Sequence, residues 1–210
     1  MWNSQVIIML LEGIRDTLYM TLASTLFGYI IGLPMGIVLT VTDKDGIRPN
    51  AAVYKVLDVI SNLLRSIPFI ILLIVLIPFT RFVVGRSYGS TATIVPLTIA
   101  AAPYIARMVE SSLKEVDAGV IEAARSMGAS DFQIVTKVML VEARTSLIVG
   151  ATISLGTILG YSAMAGTVGG GGLGDIAIRY GYTRWQTDIM VVTVVLLVIL
   201  FQIFQTIGMK

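Results

Sequence analysis

The chain of 210 residues contains no cysteine and no histidine. It therefore has no disulfide or thiol chemistry, and it lacks the two side chains on which most zinc sites depend. Charged residues are also scarce, at 13% of the chain against 56% hydrophobic residues, and the mean hydropathy is +0.88. This composition is more apolar than that of an average soluble domain. No metal site is expected, and the composition favours a membrane protein.

The few charges fall mainly between five long apolar stretches, and a helix that crosses a bilayer needs about 20 apolar residues. The stretches are Thr17 to Thr42, Val59 to Thr80, Ser87 to Ala106, Thr145 to Gly174 and Ile189 to Met209. The second carries Arg65 near one end, where a long side chain reaches the membrane surface. The sequence therefore predicts an all-α integral membrane protein with five transmembrane helices and a single domain over residues 1–210.

An odd number of spans places the two ends of the chain on opposite sides of the membrane. Ten of the 15 Lys and Arg residues fall on one side, and this side includes residues 107–144 between spans 3 and 4. Because cytoplasmic loops carry the excess of basic residues, we expect the N-terminus outside and the C-terminus inside. Before the first span, apolar residues predict a separate interfacial helix on the membrane surface: Trp2, Val6, Met9 and Leu10.

Glycines at four-residue spacing mark two of the spans as helix-packing faces. Gly28, Gly32 and Gly36 share one face of the first span, and Gly156 and Gly160 repeat the spacing in the fourth. Glycine allows close approach of another helix, which matters in lipid because apolar burial alone does not bring helices together. The packed helix belongs either to the same chain or to a second copy.

Charge is missing from the centre of every predicted span. Transporters driven by protons or ions usually keep an ionisable group at mid-membrane, so a self-powered transporter is disfavoured. An intramembrane enzyme is disfavoured as well, because no nucleophile and base pair is present. Five spans are few for a complete pathway, so we expect association with a second copy or a partner.

The glycine-rich segment GTVGGGGLGD, residues 166–175, formally contains the pattern GxGxxG. No strand precedes it and no lysine follows it, so it indicates neither a dinucleotide site nor a P-loop. It predicts a flexible outer loop or a re-entrant turn that lines a cavity. The helix end just before it holds Tyr161, Ser162 and Met164, which either border a translocation path or face lipid or core.

The connection at residues 107–144 contains the start and stop signals of two short helices. Asp117 is placed as the N-cap of a helix that reaches about Met127, and Gly128 fits the left-handed position that ends it. Ser130 then begins a second helix, with Gln133 at the capping-box position. On the first helix, Glu122 and Arg125 are close enough to pair. Such a bent loop either enters a cleft of another protein or lies on the membrane surface.

The stretch EAARSMGAS, residues 122–130, with Val138 and Leu140 further on, resembles the EAA motif of ABC-importer permeases. That resemblance implies coupling helices that dock into a groove of an ATP-hydrolysing subunit. It assigns this role to seven positions: Glu122, Ala123, Ala124, Arg125, Gly128, Ala129 and Ser130. The chain departs from the family at Val141, where a proline is usual, so the bend at that position is not implied.

Four longer segments extend the resemblance over nearly the whole chain to the methionine ABC-importer permeases: residues 65–73, 77–81, 94–110 and 160–174. The resemblance implies a permease subunit of the bacterial inner membrane that translocates L-methionine, with D-methionine or related derivatives as further candidates. It implies a homodimer in membrane lipid, two ABC ATPase subunits that bind ATP and Mg, and an extracytoplasmic methionine-binding lipoprotein. It implies neither a cofactor in this chain nor a nucleic-acid partner. A permease for another amino acid and a small oligomeric channel without an ATPase are the alternatives.

The predicted orientation can be tested with single cysteines, since the natural chain has none. Ser4→Cys and Ser130→Cys should react with a membrane-impermeant thiol reagent from opposite faces of the membrane, with Ser130→Cys labelled from the cytoplasm. Labelling is compared in intact cells and in inverted vesicles. Labelling of both variants from the same face would contradict the orientation.

Overall fold

The computed structural model describes residues 4–208, and this part of the chain is helical with no strand. Four helices are long and apolar enough to cross a membrane, and the number rises to five if one bent pair of helices counts as a single span. The predicted all-α membrane fold is confirmed. The expected five transmembrane helices depend on how the bent pair is counted.

Helix α1 runs without interruption from Ser4 to Thr42. The expectation of a separate interfacial helix is therefore wrong for the described residues, and Trp2 lies outside them. The helix continues because the stretch before Pro34 contains no proline. Contacts also hold its first turns, since Gly13 packs against the side chains of Leu173 and Ile176.

The predicted second span, Val59 to Thr80, is broken into three helices: α2 (Ala51–Ser66), α3 (Phe69–Val75) and α4 (Ile77–Val84). The axes of α2 and α3 differ in direction by 102°. The break has a local cause, because Pro68 lacks an amide hydrogen and disfavours helical geometry in the residue before it. Ile67 is accordingly extended, with φ −83° and ψ 125°. The prediction of one continuous helix is wrong here.

The other three predicted spans correspond to long helices: α5 (Ser90–Lys114), α9 (Arg144–Ala165) and α11 (Thr187–Gly208). Helix α5 continues about two turns beyond the predicted end at Ala106, despite Pro96 and Pro103 in its interior. Helix α9 ends at Ala165, so the predicted fourth span includes the glycine-rich segment that follows this helix. Met209, the predicted end of the last span, lies outside the described residues.

Helices α1 and α5 form the most extensive helix–helix contact of the fold. A Cβ atom on Gly32 would lie 2.6 Å from the Ala102 carbonyl oxygen, and one on Gly36 would lie 2.5 Å from the Ala106 carbonyl oxygen. Gly28 faces the same helix, next to Ile105. The glycine face of α1 is thus packed against a helix of its own chain.

The buried apolar side chains form two clusters, one among α1, α5 and α9 and one where α1 meets α10 (Gly172–Ile176) and α11. Gly156 of α9 faces the ring of Phe201 on α11. Gly160, one turn further along α9, is different: apart from the backbone of its own helix, no heavy atom of residues 4–208 lies within 4 Å of the place where its Cβ would be. Within this chain, only the first of these two glycines packs against another helix.

The two kinds of glycine give a matched pair of substitutions. Gly36→Ala should lower the free energy of unfolding by about 1 to 3 kcal/mol, because its methyl group overpacks the contact with Ala106. Gly160→Ala should leave it unchanged or raise it by up to about 1 kcal/mol, because alanine favours a helix more than glycine does. Thermal unfolding in detergent measures both. Equal effects would contradict the packing of α1 on α5.

Candidate functional site

The loop between α5 and α9 folds as a knuckle, residues 117–133, in which two capped helices meet at a glycine. Helix α6 (Ala118–Ser126) begins where the Asp117 carboxylate accepts a hydrogen bond of 2.8 Å from the Gly119 amide. It ends at Ser126 with Met127 as its C-cap, and Gly128 follows with a φ of +84°. The N-cap, the end of the helix and the left-handed glycine are confirmed as predicted.

The second helix of the knuckle also begins as predicted. The Gln133 amide donates to the Ser130 hydroxyl over 3.4 Å, and the Ser130 amide donates to the Gln133 side-chain oxygen over 2.9 Å. The chain continues through α7 (Asp131–Gln133), a π-helix (Ile134–Met139) and α8 (Leu140–Glu142). The regular helix is then interrupted at Ala143, two residues after Val141. This chain therefore ends the knuckle's second arm without a proline at position 141.

The knuckle has one packed side and one open side. On the packed side, Ala124 is buried in the core cluster formed among α1, α5 and α9, together with Ile134 and Met139 of the π-helix that follows the knuckle. On the open side, Met127 is 82% exposed and Phe132 is 77% exposed, one on each side of Gly128. Large apolar side chains exposed together mark surfaces that contact another molecule. The exposure of Phe132 was not predicted from the sequence, although its position two residues after the N-cap Ser130 could have indicated it.

The other predicted residues of the knuckle are distributed over both sides. Glu122, Ala123 and Ser130 are exposed, and Ala129 is half-buried. Arg125 does not pair with Glu122 as expected. Its guanidinium donates to the Ile47 carbonyl over 2.7 Å instead. The reason is a tertiary contact: the connection between α1 and α2 runs beside α6, and its Ile47 carbonyl accepts the hydrogen bond. Helix spacing in the sequence does not predict this contact.

A cluster of charged side chains that the sequence analysis missed lies at the same end of the bundle. The Glu110 side chain on α5 is 6% exposed and lies 2.7 Å from the Arg107 guanidinium and 2.8 Å from the Lys114 ammonium. Arg107 also pairs with Asp58 of α2, and Lys114 pairs with Asp43 over 2.7 Å. The Lys114 ammonium, by hydrogen bonding to Asp43, holds the pKa of that carboxyl below its ordinary value.

The candidates for a translocation path are in three different environments. The Tyr161 ring stacks on Phe69, with centroids 4.6 Å apart. Ser162 is 1% exposed, and its hydroxyl donates to the Leu159 carbonyl over 2.8 Å. Met164 is 46% exposed. Within this chain, Ser162 is thus enclosed between helices, whereas Met164 is open to another molecule.

The glycine-rich segment is a packed turn, so the alternative of a flexible loop is wrong. A Cβ atom on Gly166 would collide with the backbone of Gly174 and Asp175. Gly169 and Gly171 have φ values of +79° and +83°, which side chains with a Cβ rarely adopt. The Leu173 amide donates to the Thr17 hydroxyl of α1 over 2.9 Å, which attaches the turn to the bundle.

The apolar helices and the capped knuckle with its exposed apolar tip define a helical membrane protein with a structured loop at one end of its bundle. Comparison with known families gives the same class. Residues 18–208 match the family described as the binding-protein-dependent transport system inner membrane component, and the chain belongs to this family.

Named relatives are similar over most of the chain. One is the probable D-methionine transport system permease protein MetI of Vibrio cholerae serotype O1, 49% identical over 95% of this chain and 89% of that protein. Another is the D-methionine transport system permease protein MetI of Escherichia coli K12, 54% identical over 75% of this chain and 73% of that protein.

Solved structures extend the likeness to the fold. A chain of the MetNI methionine ABC transporter in an inward-facing conformation superimposes with a TM-score of 0.97 at 51% identity. The match covers 99% of this chain and 96% of that chain. A chain of an amino acid ABC transporter shares the fold with a TM-score of 0.79 at 19% identity.

Proposed function

We propose that this chain is the membrane-spanning permease subunit of an ATP-driven importer that translocates methionine across the bacterial inner membrane. The observation that carries the proposal is the likeness to methionine permeases at about half identity over nearly the whole chain. The chain binds no ATP in this proposal, because it has no nucleotide-binding motif. ATP and Mg are bound by a separate ATPase subunit, and this chain converts the motion of that subunit into movement of its helices.

The knuckle is the proposed contact with the ATPase. Gly128 lacks a side chain at the turn, and Met127 and Phe132 project on either side of it. Apolar anchors beside a small tip suit insertion into a cleft, where buried anchors supply most of the binding energy. The exposed members of the EAA stretch, Glu122 and Ser130, then form the polar rim.

The proposed arrangement in the membrane follows from the basic residues. The knuckle and the C-terminus lie in the cytoplasm, and the N-terminus lies outside. Two copies of the chain enclose the path and two ATPase subunits bind their knuckles, while an extracytoplasmic methionine-binding lipoprotein delivers the substrate. Met164 and Tyr161, at the α9 end beside the glycine-rich turn, border the path. Ser162 supports that helix end from inside the bundle.

Gly128→Trp should abolish binding of the ATPase subunit, whereas Glu122→Ala should weaken it little, because an exposed charge contributes only about 0.2 to 1 kcal/mol. The measurement is pull-down of the ATPase by permease variants matched for abundance in the membrane. Gly85→Trp is the control for strain, because Gly85 has a similar φ of +80° and open space but follows α4. Undiminished pull-down with Gly128→Trp would remove the knuckle from the interface and favour a channel without an ATPase.

Met164→Trp should slow methionine uptake, because a bulky ring beside the path obstructs it, while assembly with the ATPase remains intact. Met164→Leu is the control, since leucine has a similar volume and should retain uptake. Uptake is measured in proteoliposomes together with ATP hydrolysis. Normal uptake by Met164→Trp would assign this residue to a lipid-facing surface.

A further inference from the structure

The five charged side chains Asp43, Asp58, Arg107, Glu110 and Lys114 form a network that joins three elements. We propose that this network transmits displacement of the knuckle from α5 to α1 and α2. The inference rests on the proposed function, because it requires that an ATPase moves the knuckle. The five residues act as positioning residues and do not contact the substrate.

The centre of the network is the Glu110 carboxylate, whose burial requires partners of opposite charge. Glu110 is almost fully enclosed on α5, and a buried charge is costly unless opposite charges and hydrogen bonds satisfy it. Arg107 and Lys114 lie one turn before and one turn after it, and the Tyr54 hydroxyl donates to it over 3.3 Å. The last turns of α5 therefore hold two cations in fixed positions.

Each of the two cations also reaches out to another element. Arg107 pairs with Asp58 of α2 and donates to the Asn62 side-chain oxygen over 3.2 Å. Lys114 pairs over 2.7 Å with Asp43, the first residue after α1. Helix α5 is thus joined to α2 through one cation and to the end of α1 through the other.

Helix α2 depends on this network more than on apolar packing. Ser61 is the one fully buried residue in α2, a helix that the structure describes in full. Apolar side chains on its other side are exposed, among them Val56, Val59 and Leu63. Polar contacts therefore fix the position of α2 relative to α5, and directional contacts of this kind keep two helices in register.

The knuckle is attached to the same network at two points. Helix α6 begins four residues after Lys114, so the chain itself links it to the end of α5. Arg125 of α6 donates to the Ile47 carbonyl in the connection between α1 and α2. Displacement of α6 thus acts on this connection at Ile47 and, through Lys114, at Asp43. The ion pairs convert movement of one short helix into movement of α1, α2 and α5 together.

The decisive variant is Asp43→Asn, which keeps the size of the side chain and removes its charge while Glu110 keeps both cations. Asp45→Asn is the matched control, because this acid lies in the same connection but is 83% exposed, and its one ion pair among residues 4–208 is with Lys44 over 3.7 Å. The permease is reconstituted with its ATPase and binding protein in liposomes. Methionine uptake, ATP hydrolysis and the amount of bound ATPase are measured for each variant.

For Asp43→Asn we expect uptake per ATP hydrolysed to fall by about two- to thirtyfold, the range that single residues contribute to coupling between sites. Bound ATPase should be unchanged, and Asp43→Glu should restore the ratio because it restores the charge. Asp45→Asn should behave like the natural chain. A purely structural role would instead change the amount of assembled complex and leave the ratio unaltered.

An unchanged ratio in Asp43→Asn overturns the inference while the proposed function stands. If Asp43→Asn does not assemble, Asp58→Asn decides, because it removes the ion pair between Arg107 and α2, and an unchanged ratio there overturns the inference. Failure of the natural chain to bind the ATPase at all would overturn the proposed function and the inference with it.

Discussion

The close approach of α1 to α5 is the contact on which the rest of the structure depends. In lipid, apolar burial does not drive helices together, so backbone contact through small residues supplies much of the attraction. Gly32 and Gly36 allow α1 to touch carbonyl oxygens of α5. This contact brings the end of α1 beside the end of α5. The charged network and the packed side of the knuckle are assembled on that shared end.

Features that depend on neighbouring residues could be predicted from the sequence. The long apolar runs identified α5, α9 and α11, and the hydrogen-bonding side chains at Asp117 and Ser130 identified the helix starts of the knuckle. The broken second span was predicted as continuous, because hydropathy alone does not register a bend. Pro68 was the residue that indicated the bend, because its ring disfavours helical geometry in the residue before it.

Features that depend on residues far apart in the chain could not be predicted. Glu110 meets Tyr54 across α2 and α5, and Arg125 finds a carbonyl in the connection after α1. Neither contact follows from helix spacing. Arg125 donates to the Ile47 carbonyl, which is far away in the sequence, and not to Glu122 on its own helix. The path candidates show the same limit, because Ser162 and Met164 lie two residues apart on α9 and face opposite environments.

The length of α1 has a mechanical consequence. Its 39 residues make a rod of about 58 Å, nearly twice the thickness of a bilayer core. One end lies beside Lys114, and Thr17 in the other half holds the glycine-rich turn by a hydrogen bond. A tilt of about 10° in a rod of this length shifts one end relative to the other by about 10 Å. Because α1 spans both ends of the bundle, a tilt about one of its ends becomes a displacement of about 10 Å at its other end.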